Sequence, residues 1–419
     1  MSRGIVAILL LLSLPSIGCQ GEGPGVELCP GGCPAGQVCD FSSGSCVPTR
    51  PEGCPLDMGR HLSMAADSSG TLHLAFYDQC FGDLVVATWR QGQEPVCQYV
   101  DGQGPGPQDP GDDVGLFASL ALDELERPRV AYFDRSHGRL KLASSSGQGW
   151  QVITVPGTWQ QDEVVGWGCS LVLDEQGQPH IAYLNLSSGL PEISRRRPDG
   201  SWISEVVQLE PVAEPGDWQQ LDDNVRPLRL LLDRRQVEWL AFWDPRDGGI
   251  KVASRQQPGW AVVQVASGQE RATWVTAALD ESSNLALAYH DRRRGRLLYA
   301  ANNGGQLQQA VAAGDAAGGS SGAHCRLLFA ADGLPRIFYL DGRSADLAMV
   351  AGLPAGGFDT PRSLVAAGTV GFFTGAVPRD GMIDVVTVRF DWQQDGSLAG
   401  QLLRLQVAGG TSRLGGGRP

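Results

Sequence analysis

The chain has 419 residues and a net charge of -13, which argues against nucleic acid as a partner because phosphate-binding proteins present basic surfaces. Its 56 glycines and 26 prolines favour a protein of many tight turns over a helical one. Ten cysteines fit an oxidising compartment.

The first residues are typical of a secretory signal peptide. Arg3 precedes an apolar run over residues 5–14, which is too short to span a bilayer as a helix. The run ends in Ser-Ile-Gly-Cys at Cys19 and resembles the lipobox of bacterial lipoproteins, although Ser16 replaces the usual leucine. Ordinary secretion without a lipid is the alternative.

The lipobox resemblance implies a signal peptide over residues 1–18 and a lipid on the Cys19 thiol. Gln20 follows the cysteine in place of the aspartate that often retains lipoproteins at the inner membrane, so the outer membrane or cell surface is expected. The lipid would be the protein's sole attachment to the membrane.

Residues 19–28 are expected to form a tether, and residues 29–54 a small cysteine-rich module. Four of its cysteines are closely spaced: Cys29, Cys33, Cys39 and Cys46. So short a segment buries too little apolar surface to fold alone, which predicts two disulfides in one of three connectivities. Zinc is the alternative, although the segment lacks histidine and the protein is exported.

Further along, Cys80 and Cys97 are predicted to pair, because a hairpin in the first repeat can bridge their separation. Cys54, Cys169 and Cys325 remain. Since that number is odd, at least one thiol is left free or pairs between chains.

A pattern with a period of about 50 residues recurs about seven times, which is the mark of a solenoid or propeller. The copies begin near Ser63, Ser119, Ser170, Arg229, Thr276, Arg326 and Thr374. In the second copy, four short apolar strands alternate with turns rich in Gly, Pro, Asp and Ser. A single four-stranded sheet exposes both of its faces to water, whereas sheets packed in a closed ring around an axis bury these faces against their neighbours.

The repeats therefore predict an all-β fold, a seven-bladed β-propeller of four-stranded antiparallel blades over residues 58–407, after the small disulfide-rich segment. Residues just before Leu62 are expected to complete the seventh blade, and residues 408–419 to form a flexible tail. One aromatic position recurs through the copies and predicts packing between blades: Phe76, Tyr132, Tyr183, Phe242, Tyr289 and Tyr339.

The third turn of several copies ends in glycine and tryptophan, as in Gly149-Trp150 and Gly259-Trp260. This turn resembles a degenerate Asp-box, the hairpin between outer strands of sialidase-like propellers, with Asp199 as the best surviving aspartate. The resemblance covers most of residues 62–407 and implies a structural role, in which polar side chains bond turn amides while the tryptophan packs beneath.

The loops between blades and between second and third strands define a candidate ligand face. Its residues are Trp159, Trp218, Asp134, Arg135, Asp244, Arg246, Asp291, Arg292, Asp341 and Arg343. Indole, carboxylate and guanidinium groups suit a glycan or peptide. The favoured alternative is structural, in which each blade pairs its own carboxylate with a hydroxyl or arginine, as in Arg229–Asp244 and Arg326–Asp341.

No cofactor is expected, and calcium is the alternative. Two sets of closely spaced carboxylates supply oxygen ligands of the right kind: Asp109, Asp112 and Asp113, and Asp217, Asp222 and Asp223. Neither set matches a 12-residue EF-hand loop. Solvated loop charge is the alternative.

Sialidase chemistry needs an arginine cluster and a tyrosine nucleophile with a glutamate partner. The Phe/Tyr-Arg-Ile-Pro motif of that family does not occur in the sequence, and only Tyr99 and Tyr299 lie outside the packing positions. The predicted function is a lipid-anchored, non-catalytic surface propeller that binds a glycan or a protein. The alternatives are a divergent sialidase-like glycoside hydrolase and a purely architectural envelope protein.

Overall fold

The computed structural model describes residues 37–40, 45–48, 53–55, 57–104, 111–157, 159–207, 225–267, 274–303, 306–314, 320–392 and 398–409. These residues form 29 strands and contain no helix. Correspondingly, none of the described segments is a helix able to cross a membrane.

The first two strands, β1 (Gln37–Asp40) and β2 (Ser45–Pro48), form a separate antiparallel pair in which Cys39 lies opposite Cys46. The predicted disulfides of Cys29, Cys33, Cys39 and Cys46 concern side chains outside the described residues, as does the predicted lipidation of Cys19.

Seven antiparallel sheets follow, each a meander of consecutive strands. Blades 1 to 3 are β3 (Arg60–Ala66), β4 (Leu72–Asp78), β5 (Asp83–Trp89), β6 (Val96–Asp101); β7 (Val114–Leu122), β8 (Pro128–Asp134), β9 (Arg139–Ser145), β10 (Trp150–Thr154); and β11 (Val165–Leu173), β12 (Pro179–Asn185), β13 (Leu190–Arg196), β14 (Trp202–Val206). Blades 4 and 5 are β15 (Leu228–Leu232), β16 (Glu238–Trp243), β17 (Ile250–Arg255), β18 (Trp260–Ala266); and β19 (Val275–Leu279), β20 (Leu285–Asp291), β21 (Arg296–Asn303), β22 (Gln306–Ala313). Blades 6 and 7 are β23 (Ser321–Phe329), β24 (Pro335–Asp341), β25 (Asp346–Ala351), β26 (Arg362–Val365); and β27 (Thr369–Arg379), β28 (Met382–Trp392), β29 (Leu398–Ala408).

The first strand of each blade lies innermost, and neighbouring inner strands pack in sequence around the axis until β27 meets β3. The predicted seven-bladed propeller is thereby confirmed. In the seventh blade the described residues form three strands. The described residues just before Leu62 form no fourth strand of this blade, but they contact β29: the Met58 amide donates to the Gly400 carbonyl over 2.8 Å, and the Gly400 amide donates to Asp57 Oδ1 over 2.7 Å.

The repeated aspartate at the end of the inner strand caps the turn that follows it. Asp123 Oδ1 accepts the amides of Leu125 and Arg127, both at 3.0 Å. The same two-amide pattern recurs at Asp174, Asp233 and Asp280. A carboxylate that satisfies two turn amides fixes a tight connection without help from the core, which explains why the residue recurs in the sequence.

In blades 1, 2, 3 and 5, a hydroxyl near the middle of the inner strand joins the blade to the next one. Ser119 Oγ of blade 2 accepts the Leu171 amide of blade 3 over 2.9 Å. Equivalent bonds run from the amides of Leu120, Leu230 and Leu327 to the hydroxyls of Ser63, Ser170 and Thr276. These hydroxyls therefore stabilise the ring rather than their own blade.

Packing between the sheets forms the core. The recurring aromatic position is buried in six blades, as predicted. Burial also raises the pKa of the Cys169 and Cys325 thiols to about 12, so both stay uncharged. The predicted Cys80–Cys97 disulfide is wrong: Cys97 on β6 bonds to Cys54, with the two Cα atoms 4.9 Å apart, and so ties the segment before the propeller to the outer strand of blade 1.

Candidate functional site

The aspartates predicted to face a ligand close their own turns between second and third strands. Asp134 Oδ1 accepts the His137 amide over 2.9 Å, and Asp244 Oδ1 accepts the Arg246 amide over 3.0 Å. Asp291 and Asp341 accept the amides of Arg293 and Arg343 in the same way, each over 3.1 Å. Asp134, Asp244 and Asp291 are buried, so turn formation accounts for their recurrence.

Asp244 also binds two cations of its own blade. Its Oδ2 lies 2.5 Å from Arg246 Nη2 and 2.6 Å from Lys251 Nζ. Burial alone would raise the pKa of Asp244, but these two partners outweigh it and lower that pKa. The predicted Arg229–Asp244 pair is therefore wrong, because Asp244 is already neutralised on its own side of the blade.

The predicted pairing of Arg326 with Asp341 is also wrong. Arg326 lies opposite Phe338 in the register of blade 6, and its Nε has no hydrogen-bond acceptor among the described residues. The side chains of Arg292 and Arg343, in contrast, are exposed on the face that carries the loops between blades.

Several of the predicted residues lie on this face around blade 2, in the loops at the end of its strands. We call this region the blade 2 loop patch, and it consists of Asp112, Asp113, Asp134, Arg135, His137, Arg139 and Trp159. Three separate segments build it: the end of the loop from blade 1, the turn between β8 and β9, and the loop that leads to blade 3.

Trp159 is the aromatic member of the patch. The Arg139 guanidinium lies 4.3 Å from the centre of its ring, within cation–π range. Arg139 is held there because it donates to the carbonyls of Gly138 at 3.0 Å, Gln161 at 2.5 Å and Glu163. A Cβ on Gly157 would lie 2.4 Å from the indole, so this glycine lets the ring lie against the backbone. The half-buried ring is thus held in one orientation.

His137 and two carboxylates form the polar member of the patch. His137 Nδ1 lies 3.0 Å from Asp134 Oδ2 and 3.8 Å from Asp112 Oδ2, and the side chains of Asp112 and His137 are exposed. All three ligand atoms lie within 4.8 Å of one another. One imidazole with two carboxylates suits a transition metal better than calcium, and it equally suits hydrogen bonds to hydroxyl groups.

Asp112 and Asp113, two members of a predicted calcium set, contact different partners. Asp113 instead accepts the Tyr77 hydroxyl at 2.9 Å and pairs with Arg135 at 3.1 Å. Asp112 faces His137. Asp109, the set of Asp217, Asp222 and Asp223, and Trp218 lie outside the described residues.

A tyrosine–glutamate pair, which the sequence analysis missed, lies inside blade 3. The Tyr183 hydroxyl donates to Glu192 Oε2 over 3.0 Å and lies 3.1 Å from Ser194 Oγ. Burial and then the Glu192 charge raise the pKa of Tyr183, and burial raises the pKa of Glu192. The two residues face each other across β12 and β13, so their cross-strand register was the signal that could have revealed them.

The two tyrosines outside the packing positions have different surroundings. The Tyr99 hydroxyl lies 3.5 Å from Asp78 Oδ2. Tyr299 meets the edge of Phe358 with ring centres 5.1 Å apart, and burial followed by the charge of Asp280 raises its pKa to about 12. A phenol with so high a pKa is a poor nucleophile at neutral pH.

Six packed rings close the central channel beneath the loop face. They are His61, Phe117, Trp167, Trp274, His324 and Phe373, each less than a tenth exposed. Ring centres of successive members lie 4.0 to 5.4 Å apart. Four of these residues have positive φ, between 46° and 56°, so the inner strands bulge to turn the rings inward. These rings therefore separate a ligand on the loop face from the central channel.

Comparison with known proteins supports the fold. No family model matches the sequence, and no curated protein matches it either. A protein from Lactobacillus plantarum is 12% identical over 80% of this chain and 96% of its own, with a TM-score of 0.50. The periplasmic gluconolactonase of Pseudomonas aeruginosa is 16% identical over 81% and 99%, with a TM-score of 0.49. A Hadza microbial sialidase is 13% identical over 80% and 73%, with a TM-score of 0.43. At 12% identity the likeness to the Lactobacillus plantarum protein shows the fold alone, and no argument is drawn from the other two.

Proposed function

We propose that this protein is an exported, lipid-anchored surface propeller that binds a glycan without transforming it, using the blade 2 loop patch. The observation that carries the proposal is the Trp159 ring fixed against Arg139, on the same loop face as the exposed Asp112 and His137 and above a closed channel. Such a surface supports a shallow platform, and sugar rings stack on indole while their hydroxyls bond carboxylates and imidazole.

The buried half of the patch explains how the platform keeps its shape. Asp134 accepts an amide of its own turn, and Arg139 donates to three carbonyls. Both side chains therefore keep their positions without a ligand. The exposed groups, Asp112 and His137 together with the open part of Trp159, are then the ones that contact a ligand. Because the polar groups are preorganised, binding costs little side-chain entropy.

The proposed anchor places this platform away from the membrane. The lipid on Cys19 and the cysteine-rich module would act as a stalk, and the Cys54–Cys97 bond supports a firm joint between stalk and blade 1. The test is partition of the protein into detergent. Wild type should enter the detergent phase, whereas Cys19→Ser should stay in water; equal partition of the two would contradict the anchor.

A glycan array tests the binding itself. Wild type should bind a restricted set of glycans, and Trp159→Ala should weaken that binding at least about tenfold, as expected for the loss of one stacking contact. Trp150→Ala is the matched control, because Trp150 is also half-buried but lies on an outer strand and bonds Gln98. Binding that survives Trp159→Ala, or binding only to protein ligands, would contradict the proposal.

The alternative of a divergent sialidase-like hydrolase is favoured by one observation, the Tyr183–Glu192 pair. The phenol is buried, however, and its pKa is raised rather than lowered, which is the wrong direction for a nucleophile. A panel of fluorogenic sialosides separates the two functions. Turnover that disappears in Tyr183→Phe, Tyr99→Phe or Tyr299→Phe would establish the hydrolase and end the binding proposal.

A further inference from the structure

Two blades break the column of hydroxyls that joins neighbouring inner strands. Where other blades carry serine or threonine, blade 4 has Arg229 and blade 6 has Arg326. In the sheet register Arg229 lies opposite Ala241, just as Ser119 lies opposite Ala131. A long cation therefore occupies a position where the other blades need only a short hydroxyl.

A third arginine joins these two in the channel. Arg226, at the start of blade 4, reaches across the ring and donates from Nη2 to the Leu62 carbonyl of blade 1 over 2.9 Å. Burial, followed by the charges of Arg326 and then Arg226, lowers the pKa of Arg229. Burial and then the charge of Arg226 lower the pKa of Arg326 to about 10. A hydrogen bond across the ring thus places Arg226 in the channel, while Arg229 and Arg326 lie on the inner strands of blades 4 and 6.

The channel is open at one end. Below the six-ring plug, at the face opposite the loops between blades, lies an open pocket of about 470 Å³. Apolar side chains of the inner strands, including Met64, Leu120 and Leu171, line this pocket together with Arg229. Arg229 and Arg326 remain partly accessible, and a solute that enters the pocket reaches the Arg229 side chain.

The three cations have no internal counter-charge in the part of the chain that the structure describes. None of them lies within 4.0 Å of a carboxylate there, and the Nε atoms of Arg229 and Arg326 are buried without an acceptor. Buried charges in proteins are normally paired, since apolar surroundings strengthen repulsion and leave unmade hydrogen bonds costly. An anion of matching shape would relieve both costs.

We propose that Arg226, Arg229 and Arg326 form a site for a small multivalent oxyanion, which enters the propeller channel from the face opposite the blade 2 loop patch. Guanidinium forks bind tetrahedral or planar oxygens through paired hydrogen bonds, and apolar walls strengthen these bonds by excluding water. This site is independent of the proposed glycan site, because the six-ring plug separates the two.

Titration calorimetry tests the channel site with inorganic phosphate, sulfate and malonate, each at constant ionic strength set with sodium chloride. Wild type should bind one of them in a saturable way at one ion per chain. Arg229→Ser and Arg326→Ser should each weaken binding at least about tenfold, the loss expected when one charge-assisted pair is removed from a desolvated site. Preference among the three anions identifies the natural class as phosphate, sulfate or carboxylate.

The serine variants are chosen because they restore the hydroxyl that the other blades use, so both are expected to fold. Arg292→Ser removes an exposed arginine of the loop face and should leave the affinity within about twofold of wild type. In an anion-free buffer, Arg229→Ser should melt no lower than wild type, since it removes an unpaired buried charge. Added oxyanion should raise the melting temperature of wild type and of Arg292→Ser by more than that of Arg229→Ser.

Three results would overturn the proposal. One is the absence of saturable binding for all three anions, and another is binding that survives both Arg229→Ser and Arg326→Ser. The third is competition by chloride with an affinity equal to that of the oxyanions, which would make the site a general anion pocket without preference for oxygen. None of these results bears on glycan binding by Trp159, so the two proposals fail or succeed separately.

Discussion

Replacing Ser119 with alanine tests whether single hydroxyls hold the propeller ring together. Ser119 is 5% exposed, and its Oγ accepts the Leu171 amide of the next blade over 2.9 Å. Alanine removes this acceptor and leaves the amide buried, while the volume changes by only one oxygen atom. The variant therefore isolates the hydrogen bond from packing.

The expected magnitude follows from the cost of a buried, unsatisfied amide. That cost is about 1–3 kcal/mol. Because the entropy of unfolding grows with chain length, such a loss lowers the melting temperature of a domain of this size by roughly 1–4 °C. Since Ser63, Ser170 and Thr276 make equivalent bonds in other blades, their alanine variants should fall in the same range.

Urea unfolding followed by tryptophan fluorescence measures the effect as a shift of the midpoint. Ser282→Ala is the matched control, because Ser282 is exposed in a turn and should leave the midpoint unchanged. Ser119→Thr keeps the hydroxyl and should recover most of the loss. If Ser119→Ala unfolds at the same urea concentration as Ser282→Ala, the hydroxyl contributes nothing and the account of ring closure is refuted.

Three further outcomes are expected. Cys97→Ser should lower the free energy of unfolding by about 4 kcal/mol, because the bond to Cys54 joins residues 43 apart, and reduction should abolish the difference. Gly166→Ala should cost several kcal/mol in the same urea assay, since its Cβ would lie 2.7 Å from the Leu140 backbone; Gly177→Ala, also at positive φ but in open space, should cost only about 1 kcal/mol, and equal losses would contradict the steric account. Burial alone would raise the pKa of Asp67, but bonds from Ser69, His73 and Thr71 outweigh it and lower that pKa to about 2. A carboxyl group whose pKa is lowered by folding stabilises the fold at pH values above its unfolded pKa near 4. This contribution is lost as the pH falls toward 2. Thermal melts from pH 5 to pH 2 should therefore fall less steeply for Asp67→Asn than for wild type, and parallel curves would contradict the shift.

The amino-acid sequence by itself determined the architecture. Its copies share strand, turn and aromatic positions, and a unit that buries only one sheet face on each neighbour must close into a ring. The role of the turn aspartates could also be predicted from the sequence, because Asp123 accepts hydrogen bonds from amides only two and four residues away. Such local interactions depend on spacing along one repeat, so they are readable before any tertiary structure is known.

Only the tertiary structure decided which groups meet across blades. Ser119 bonds Leu171, 52 residues later, whereas the sequence pattern favoured a partner within the same blade. Cys97 likewise bonds to Cys54 and not to Cys80, because the segment before the ring lies along the outer strand of blade 1. For the hydroxyls the physical reason is that every repeat offers nearly the same side chains, and the closure of the ring selects which copy comes within bonding distance. The same closure gathers Arg226, Arg229 and Arg326 into one channel.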